Sequence, residues 1–506
     1  MGGSSSGGTS ATGGVPGSSS GGTVTSTGGT PQGGTPSTMG GAPTTGGSSG
    51  GTSPSTGGGT AGSPGGGGSY AGGGSGGAAG GSGGMPGGSG GEGGGSAGSP
   101  GGSGGEGGGS AGAPSGGSDN SGGSGGSPSE PVDCKLPNLP DPGSLTYNNQ
   151  KLPDPFTFFD GTKVTTKAQW ECRRKEILAM ADKYLYGPVP PAPDETTGSV
   201  NGGNISFTAK VGSKSESFTA TIQGNGDVIA LELSNGIFPN PRKRLTFGSG
   251  FEDKIRNLFG LNQLNPNIAN AWMVDRVIDV LEQNPNSGHD PKKMMVSGCS
   301  GCGKGAFFVG VFSRIPLTVI VESGGGGAVP FRWAHYYRHG SGNYNCNMPP
   351  QGIDNLEDSG ICGPWVTNAA SWVRNTPANV YKMPFDQHLL LATIAPRWLV
   401  HFSNHNGANS WCHLGGTGEA LGAWAAKPVW KALGVPERMG FLQYDAGHCS
   451  NPSAATSLAN EFFKRAFQGD NSANTDVFQT LSNGLQQPVS QWKDAWVDWD
   501  MDVVLQ

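Results

Sequence analysis

The chain has 506 residues, 96 of them Gly and only 33% apolar, with a net charge of −6 at pH 7. That charge is modest and no block of Lys and Arg occurs, which argues against a nucleic-acid or anionic-membrane surface. No run of about 20 apolar residues is present either, so insertion into a membrane is not expected.

The glycine is concentrated in residues 1–130, a stretch of Gly, Ser, Thr, Pro and Ala with repeats such as GGSGGEGGGSAGSP. Its only charged residues are Glu92, Glu106, Asp119 and Glu130. Such a segment has almost nothing to bury against the entropy of ordering, so it is expected to be a disordered tether with a mean span of roughly 60 Å. Residues 131–506 are long enough for one large folded domain. Met1 is followed by no basic and apolar leader, so no secretory signal is visible, and an upstream leader lost by truncation or a misplaced start is expected. MGGSSS fits the pattern for myristoylation at Gly2, a match that any Gly/Ser run makes uninformative.

Eight cysteines lie in the second part: Cys134, Cys172, Cys299, Cys302, Cys346, Cys362, Cys412 and Cys449. An even number favours disulfides and an oxidising location, secreted or at the cell surface, while leaving the pairing open.

In chain order, KAQWECRRKEILAMADKY (167–184) has helical composition, with Trp170, Ile177, Leu178, Ala181 and Leu185 at helical spacing. Polar and apolar residues alternate in ISFTAKV and ESFTATI, which predicts a two-stranded hairpin. Residues 268–281 form a second amphipathic helix, with Trp272, Met273, Val277, Ile278 and Leu281 on its buried side. A short strand, Lys293 to Val296, then leads into SGCSGCGKG and the apolar run AFFVGVF. Leu317 to Val321 is another strand and ends at Glu322. Farther on, HLLLATIAP is an apolar segment, RWLVHFS a strand, and GFLQYDAGH a strand running into a loop. This alternation predicts a mostly parallel sheet covered on both faces.

Strand, sharp glycine turn, Ser300 and then a helix is the arrangement a nucleophilic serine requires. The turn lifts the hydroxyl above the sheet edge, and the next backbone N–H can hold an oxyanion. Gly298, Gly301 and Gly303 permit the tight backbone, although Cys302 stands where the G-x-S-x-G pattern has its last Gly. Other chemistries fit parts of the same stretch. Gly298 to Lys304 matches G-x4-G-K of a phosphate loop, but Gly305 follows where Mg²⁺ would need Ser or Thr. Cys299-x2-Cys302 could begin a zinc or redox site, but no second C-x2-C is present. A plain tight turn with buried cysteines is the bland reading.

A serine needs a base, and the base an orienting acid. His448 follows a strand late in the chain, and Glu322 ends a strand 22 residues after Ser300 (322 − 300), so the order Ser, acid, His is that of the α/β-hydrolases. His289, His335, His339, His401, His405 and His413 are read as surface or satisfied histidines, with His388 a possible support for the site.

VSGCSGCGKGAFF, VIVESGGGG and GHCS, taken together, resemble the glucuronoyl esterase signature. That pattern is roughly GCS-R-N-GKGA, a Glu in Q-E-S-G-x-G-G, and a late His followed by Cys. LPDPFTFFDGTKVTTKAQWECRRKEI, AWMVDRVIDVLE, PFDQHLLLATIAPR, ANTDVF and WVDW echo further family segments, most like its fungal members. The resemblance implies a three-layer α/β-hydrolase sandwich that cleaves esters between 4-O-methyl-D-glucuronic acid of glucuronoxylan and lignin alcohols. It implies Ser300 as nucleophile, His448 as base, Glu322 as acid and the Gly301 N–H as oxyanion donor. Lys304 and Trp411 would contact the sugar. Disulfides Cys134–Cys172 and Cys299–Cys449 are implied by the fungal pattern, which leaves Cys302, Cys346, Cys362 and Cys412 with three possible pairings. No metal or organic cofactor is implied; the partner would be plant cell-wall polysaccharide and the chain a monomer. Two departures stand out: Gly301 replaces the family's Arg, and Cys302 its Asn. Around Asp354 and Cys362 the family's sugar-contacting Gln and Glu are not found. A non-catalytic xylan-binding relative and a general carboxylesterase or acetyl xylan esterase are therefore the alternative readings.

Overall fold

Thr166 and Gln169 close a reciprocal capping box in which the Thr side chain accepts from the Gln169 N–H and the Gln side chain from the Thr166 N–H, which starts helix α1 (Lys167–Ala181). This is seen in a computed structural model that describes residues 134–234, 242–356, 362–405, 411–481 and 487–506. The expected tether and the boundary at 130/131 lie outside the described residues. Trp170, Ile177 and Ala181 of α1 are buried as their spacing predicts; Met180 joins them, while Leu178 is only partly covered. The backbone then widens into one π turn over Asp182–Tyr186, so the helical path ends two residues beyond the predicted Tyr184.

Among the described residues, ten strands form one sheet: β1 (Glu195–Asn201), β2 (Asn204–Val211), β3 (Lys214–Gln223), β4 (Ile229–Glu232), β5 (Lys243–Phe247), β6 (Met294–Cys299), β7 (Leu317–Val321), β8 (Trp398–Asn404), β9 (Met439–Tyr444) and β10 (Phe478–Gln479). Their order is β1-β2-β3-β5-β4-β6-β7-β8-β9-β10. The first four in that order pair antiparallel, and every pair from β5 onward is parallel. The predicted hairpin is β2–β3, with Phe207 opposite Phe218 and the two rings stacked 5.1 Å apart. Strands β1, β4 and β5 have no counterpart in the sequence reading, because β4 is only four residues long and β1 and β5 carry few apolar residues in alternation.

Residues pointing to opposite faces of the parallel strands join different cores, as a period of two requires. Leu317, Val319, Val321, Val400 and Phe402 pack with Ala455, Leu458 and Phe462 of the helix Ser453–Phe463. Ile320, Leu399, Met439 and Phe441 face the other way, toward helices that include Gly416–Ala432. Helix α2 (Phe251–Phe259) and helix α3 (Pro266–Gln283) cover the antiparallel end, where Trp272 and Val277 meet Phe207 and Phe218. Helices therefore lie on both faces, and the C-terminal ends of the parallel strands are left to build a site. No helix among the described residues is long and apolar enough to cross a membrane.

Candidate active site

Strand β6 ends at Cys299, and helix α4 (Gly301–Phe312) begins two residues later, so Ser300 alone makes the turn. Its backbone is at φ 58°, ψ −124°, a region that L-residues seldom occupy. Neighbouring glycines make this possible. A Cβ on Gly298 would lie 1.9 Å from the Cys302 carbonyl oxygen, and one on Gly303 would lie 2.4 Å from that of Val321. The turn is tied to the sheet by the Ser300 N–H, which donates to the Val321 carbonyl at 3.0 Å. The Gly301 N–H sits at the open N-terminus of α4, where backbone donors lack intrahelical partners.

Glu322 follows β7 directly, is fully buried and has φ 46°. Its Oε2 accepts from His448 Nδ1 at 2.5 Å. Its Oε1 accepts from the Tyr444 hydroxyl at 3.1 Å, the Cys449 N–H at 3.1 Å and Asn404 Nδ2 at 3.3 Å. A buried carboxylate so surrounded by donors is compensated for its lost hydration. Burial and the adjacent carboxylate push the Tyr444 phenol far above its ordinary value, so it stays a donor. Because the carboxylate can only accept, His448 carries its proton on Nδ1 and presents the Nε2 lone pair as a base. Nε2 lies 3.7 Å from Cys449 Sγ, and the Ser300 hydroxyl is not hydrogen-bonded to it among the described residues. Such contacts commonly close only when substrate is bound.

Four non-glycine residues among those described have positive φ: Ser300, Glu322, Cys362 and Cys449. Three of them belong to this cluster, and the fourth is bonded to α4. Strain of this kind persists only where the surroundings over-determine the backbone.

Part of that determination is covalent. Cys299 is bridged to Cys449 with Cα atoms 5.8 Å apart, joining the residue before Ser300 to the residue after His448. Cys134 is bridged to Cys172 of α1. The four cysteines left open by the sequence pair as Cys302–Cys362 and Cys346–Cys412. Cys299 and Cys302 thus go to different partners, which removes both as metal ligands and as a redox pair. No group of three or more His, Cys, Asp or Glu side chains with metal-binding geometry occurs among the described residues.

Trp411, 41% exposed, lies stacked on the His448 ring. Lys304, one turn into α4, is 3% exposed and places Nζ 5.4 Å from the Trp365 ring centroid. His388 is not part of the cluster: it is fully buried in the helix Gln387–Ala392, and its Nε2 bonds the Pro153 carbonyl at 2.8 Å. Sequence reasoning missed Tyr444 and Asn404. Both are the last residues of parallel strands, at the sheet edge where ligand sites form, which is the signal that could have found them. It also missed Glu419, whose buried Oε1 accepts from Ser323 Oγ and the Gly324 N–H, both at 2.9 Å, and so braces the turn after Glu322.

A family model described as "Glucuronyl esterase, fungi" matches residues 197–434. A 4-O-methyl-glucuronoyl methylesterase of Schizophyllum commune is 33% identical over 379 residues, which is 70% of this chain and 91% of that protein. The glucuronoyl esterase catalytic domain of Hypocrea jecorina superposes with a TM-score of 0.60 at 31% identity, covering 72% of this chain and all of that one. A serine-to-alanine mutant of the Sporotrichum thermophile glucuronoyl esterase, solved with methyl 4-O-methyl-β-D-glucopyranuronate, gives 0.59 at 32% identity and covers 72% of this chain and 99% of that one.

Proposed function

This chain belongs to the glucuronoyl esterase family, and from that premise we propose that it hydrolyses esters of 4-O-methyl-D-glucuronic acid in glucuronoxylan, with Ser300 as nucleophile. The observation that carries this reading is the 2.5 Å contact between Glu322 and His448, with the His448 loop tied to the Ser300 turn by the Cys299–Cys449 bridge.

His448 Nε2 takes the Ser300 proton as Oγ attacks the C6 carbonyl of the uronate ester. Glu322 holds the imidazolium that forms, and the Gly301 N–H meets the tetrahedral oxyanion. Collapse breaks the ester C–O bond, and His448 returns its proton to the departing alcohol. Water then attacks the acyl-serine with His448 again as base, which releases the uronic acid and restores Ser300. Lys304 and Trp411 contact the sugar, and a lignin-type alcohol is the leaving group. Four disulfides suit an extracellular location, where such a polymer would be met.

The test is release of benzyl alcohol from benzyl D-glucuronate by the full chain, with Ser300→Ala beside it. Turnover that disappears in the variant supports the esterase. Folded, disulfide-intact protein that binds xylan oligomers without turnover would establish the binding module instead. Equal hydrolysis of short acyl esters of simple alcohols would establish a general carboxylesterase.

A further inference from the structure

We infer that the Cys302–Cys362 disulfide and Trp365 are positioning elements for Lys304, and that through Lys304 they set how well the enzyme recognises the sugar of its ester. This rests on the reading above in which Lys304 contacts the uronate.

Cys302 and Lys304 stand two residues apart in the first turn and a half of α4. The bridge joins that turn to the segment carrying Trp365, with Cα atoms of Cys302 and Cys362 5.2 Å apart. Cys362 is held at φ 63°, and its carbonyl accepts from Asn267 Nδ2 of α3 at 2.6 Å. At Gly305 an added Cβ would come within 2.8 Å of Leu233 and 3.5 Å of the Cys362 Cβ, so the bridge sits in a close-packed seam. Three residues beyond Cys362, the Trp365 ring lies beneath the Lys304 ammonium at 5.4 Å.

Cys302, Lys304 and Trp365 are 2%, 3% and 4% exposed, so the lysine is enclosed together with the disulfide and the indole, and it is through this packing that they act on it. A lysine ammonium on a four-carbon stem loses considerable rotamer freedom when it is ordered. A cation held over an indole face, on a helix turn bonded to the segment that carries that indole, has been ordered before the sugar arrives. Loss of this arrangement should weaken sugar binding and leave the Ser300–His448–Glu322 chemistry in place.

The test compares the full chain with its Cys302→Ser/Cys362→Ser form, in wild-type and Lys304→Ala backgrounds. Benzyl D-glucuronate reports on sugar recognition. The inactivation rate with a sugar-free fluorophosphonate reports on the nucleophile and oxyanion site alone. The expected result is a KM for the uronate ester raised about tenfold with kcat nearly unchanged, as loss of uniform binding requires. Fluorophosphonate inactivation should stay within about twofold, and the bridge should add no further KM effect once Lys304 is Ala, since groups acting as one unit are not additive. Equal losses with both reagents, no change in KM, or additive effects in the Lys304→Ala background would overturn the inference alone. A wild-type chain that reacts with the fluorophosphonate but never turns over benzyl D-glucuronate overturns the underlying reading and this one with it. If the cysteine variant does not fold, Trp365→Leu, which keeps every disulfide, is judged by the same criteria.

Discussion

The indole of Trp411 lies flat against the imidazole of His448, with ring centroids 3.9 Å apart and planes 14° from parallel. One face of the histidine is thereby covered while Nδ1 is held by Glu322, so the ring is fixed both in its plane and about its axis. Replacing Trp411 by Ala frees that face. We expect kcat on benzyl D-glucuronate to fall about tenfold, the size of a lost orienting contact. Trp411→Phe should recover most of the loss, since stacking needs an aromatic face. Activity unchanged in Trp411→Ala would show that Glu322 alone orients the base.

In the proposed reaction Gly301 would offer the oxyanion only its backbone N–H, where the family pattern has an arginine. One missing oxyanion donor costs on the order of 10²–10³ in rate in other hydrolases. Gly301→Arg should therefore raise kcat toward that limit, with little change in KM. A steady-state comparison on benzyl D-glucuronate decides it; a variant no faster than the parent would mean that a side-chain donor is not what limits this site.

The Cys299–Cys449 bridge spans 150 residues of chain, against 38 for Cys134–Cys172. Loop-closure entropy gives upper values of about 5 and about 4 kcal/mol for the two. Replacing Cys299 and Cys449 together by Ala should lower unfolding free energy in urea by up to that amount. It should also lower kcat under conditions where the protein is still folded, because the bridge holds the loop on which the Cys449 backbone N–H donates to Glu322 beside His448. Removing Cys134 and Cys172 together should lower stability and leave kcat close to the parent value.

His388 is fully buried, and desolvation is the main cause that brings its pKa down from 6.5 to about 4. The folded protein therefore holds this histidine neutral while the unfolded chain protonates it below pH 6.5. Its contribution to stability is complete above pH 6.5 and is lost as pH falls toward 4, where the folded form takes the proton too. The slope in that window is about 1.4 kcal/mol per pH unit. Urea unfolding at pH 7 and pH 5 should show the parent losing about 2 kcal/mol more than His388→Gln across that interval.

The candidate site was readable in the sequence to the extent that its parts are local. The Ser300 turn could be seen because Gly298 and Gly303 surround it at positions where any side chain would collide with backbone. Glu322 and His448 could be placed because each ends or follows a strand, and their roles came from the family pattern. His388 misled, because an isolated histidine between apolar residues looks the same whether it serves a base or a buried carbonyl such as that of Pro153. Strands β1, β4 and β5 were not read because they are short or weakly patterned, and they gain their order from neighbours in the sheet.

By itself, the sequence determined the local conformations: the capped helix after Thr166, the β2–β3 hairpin, the strand–serine–helix turn, and an even set of cysteines. Each depends on sterics or periodicity within a few residues, which the chain carries without reference to its fold. Only the tertiary structure decided that Cys302 pairs with Cys362 and Cys346 with Cys412, that Trp411 lies on His448 and Trp365 under Lys304, and that Tyr444 and Asn404 support Glu322. Glu322 meets Tyr444 and His448 across 122 and 126 residues of chain. Contacts over such separations are set by strand order and register, and no local pattern encodes which side chains those will bring together.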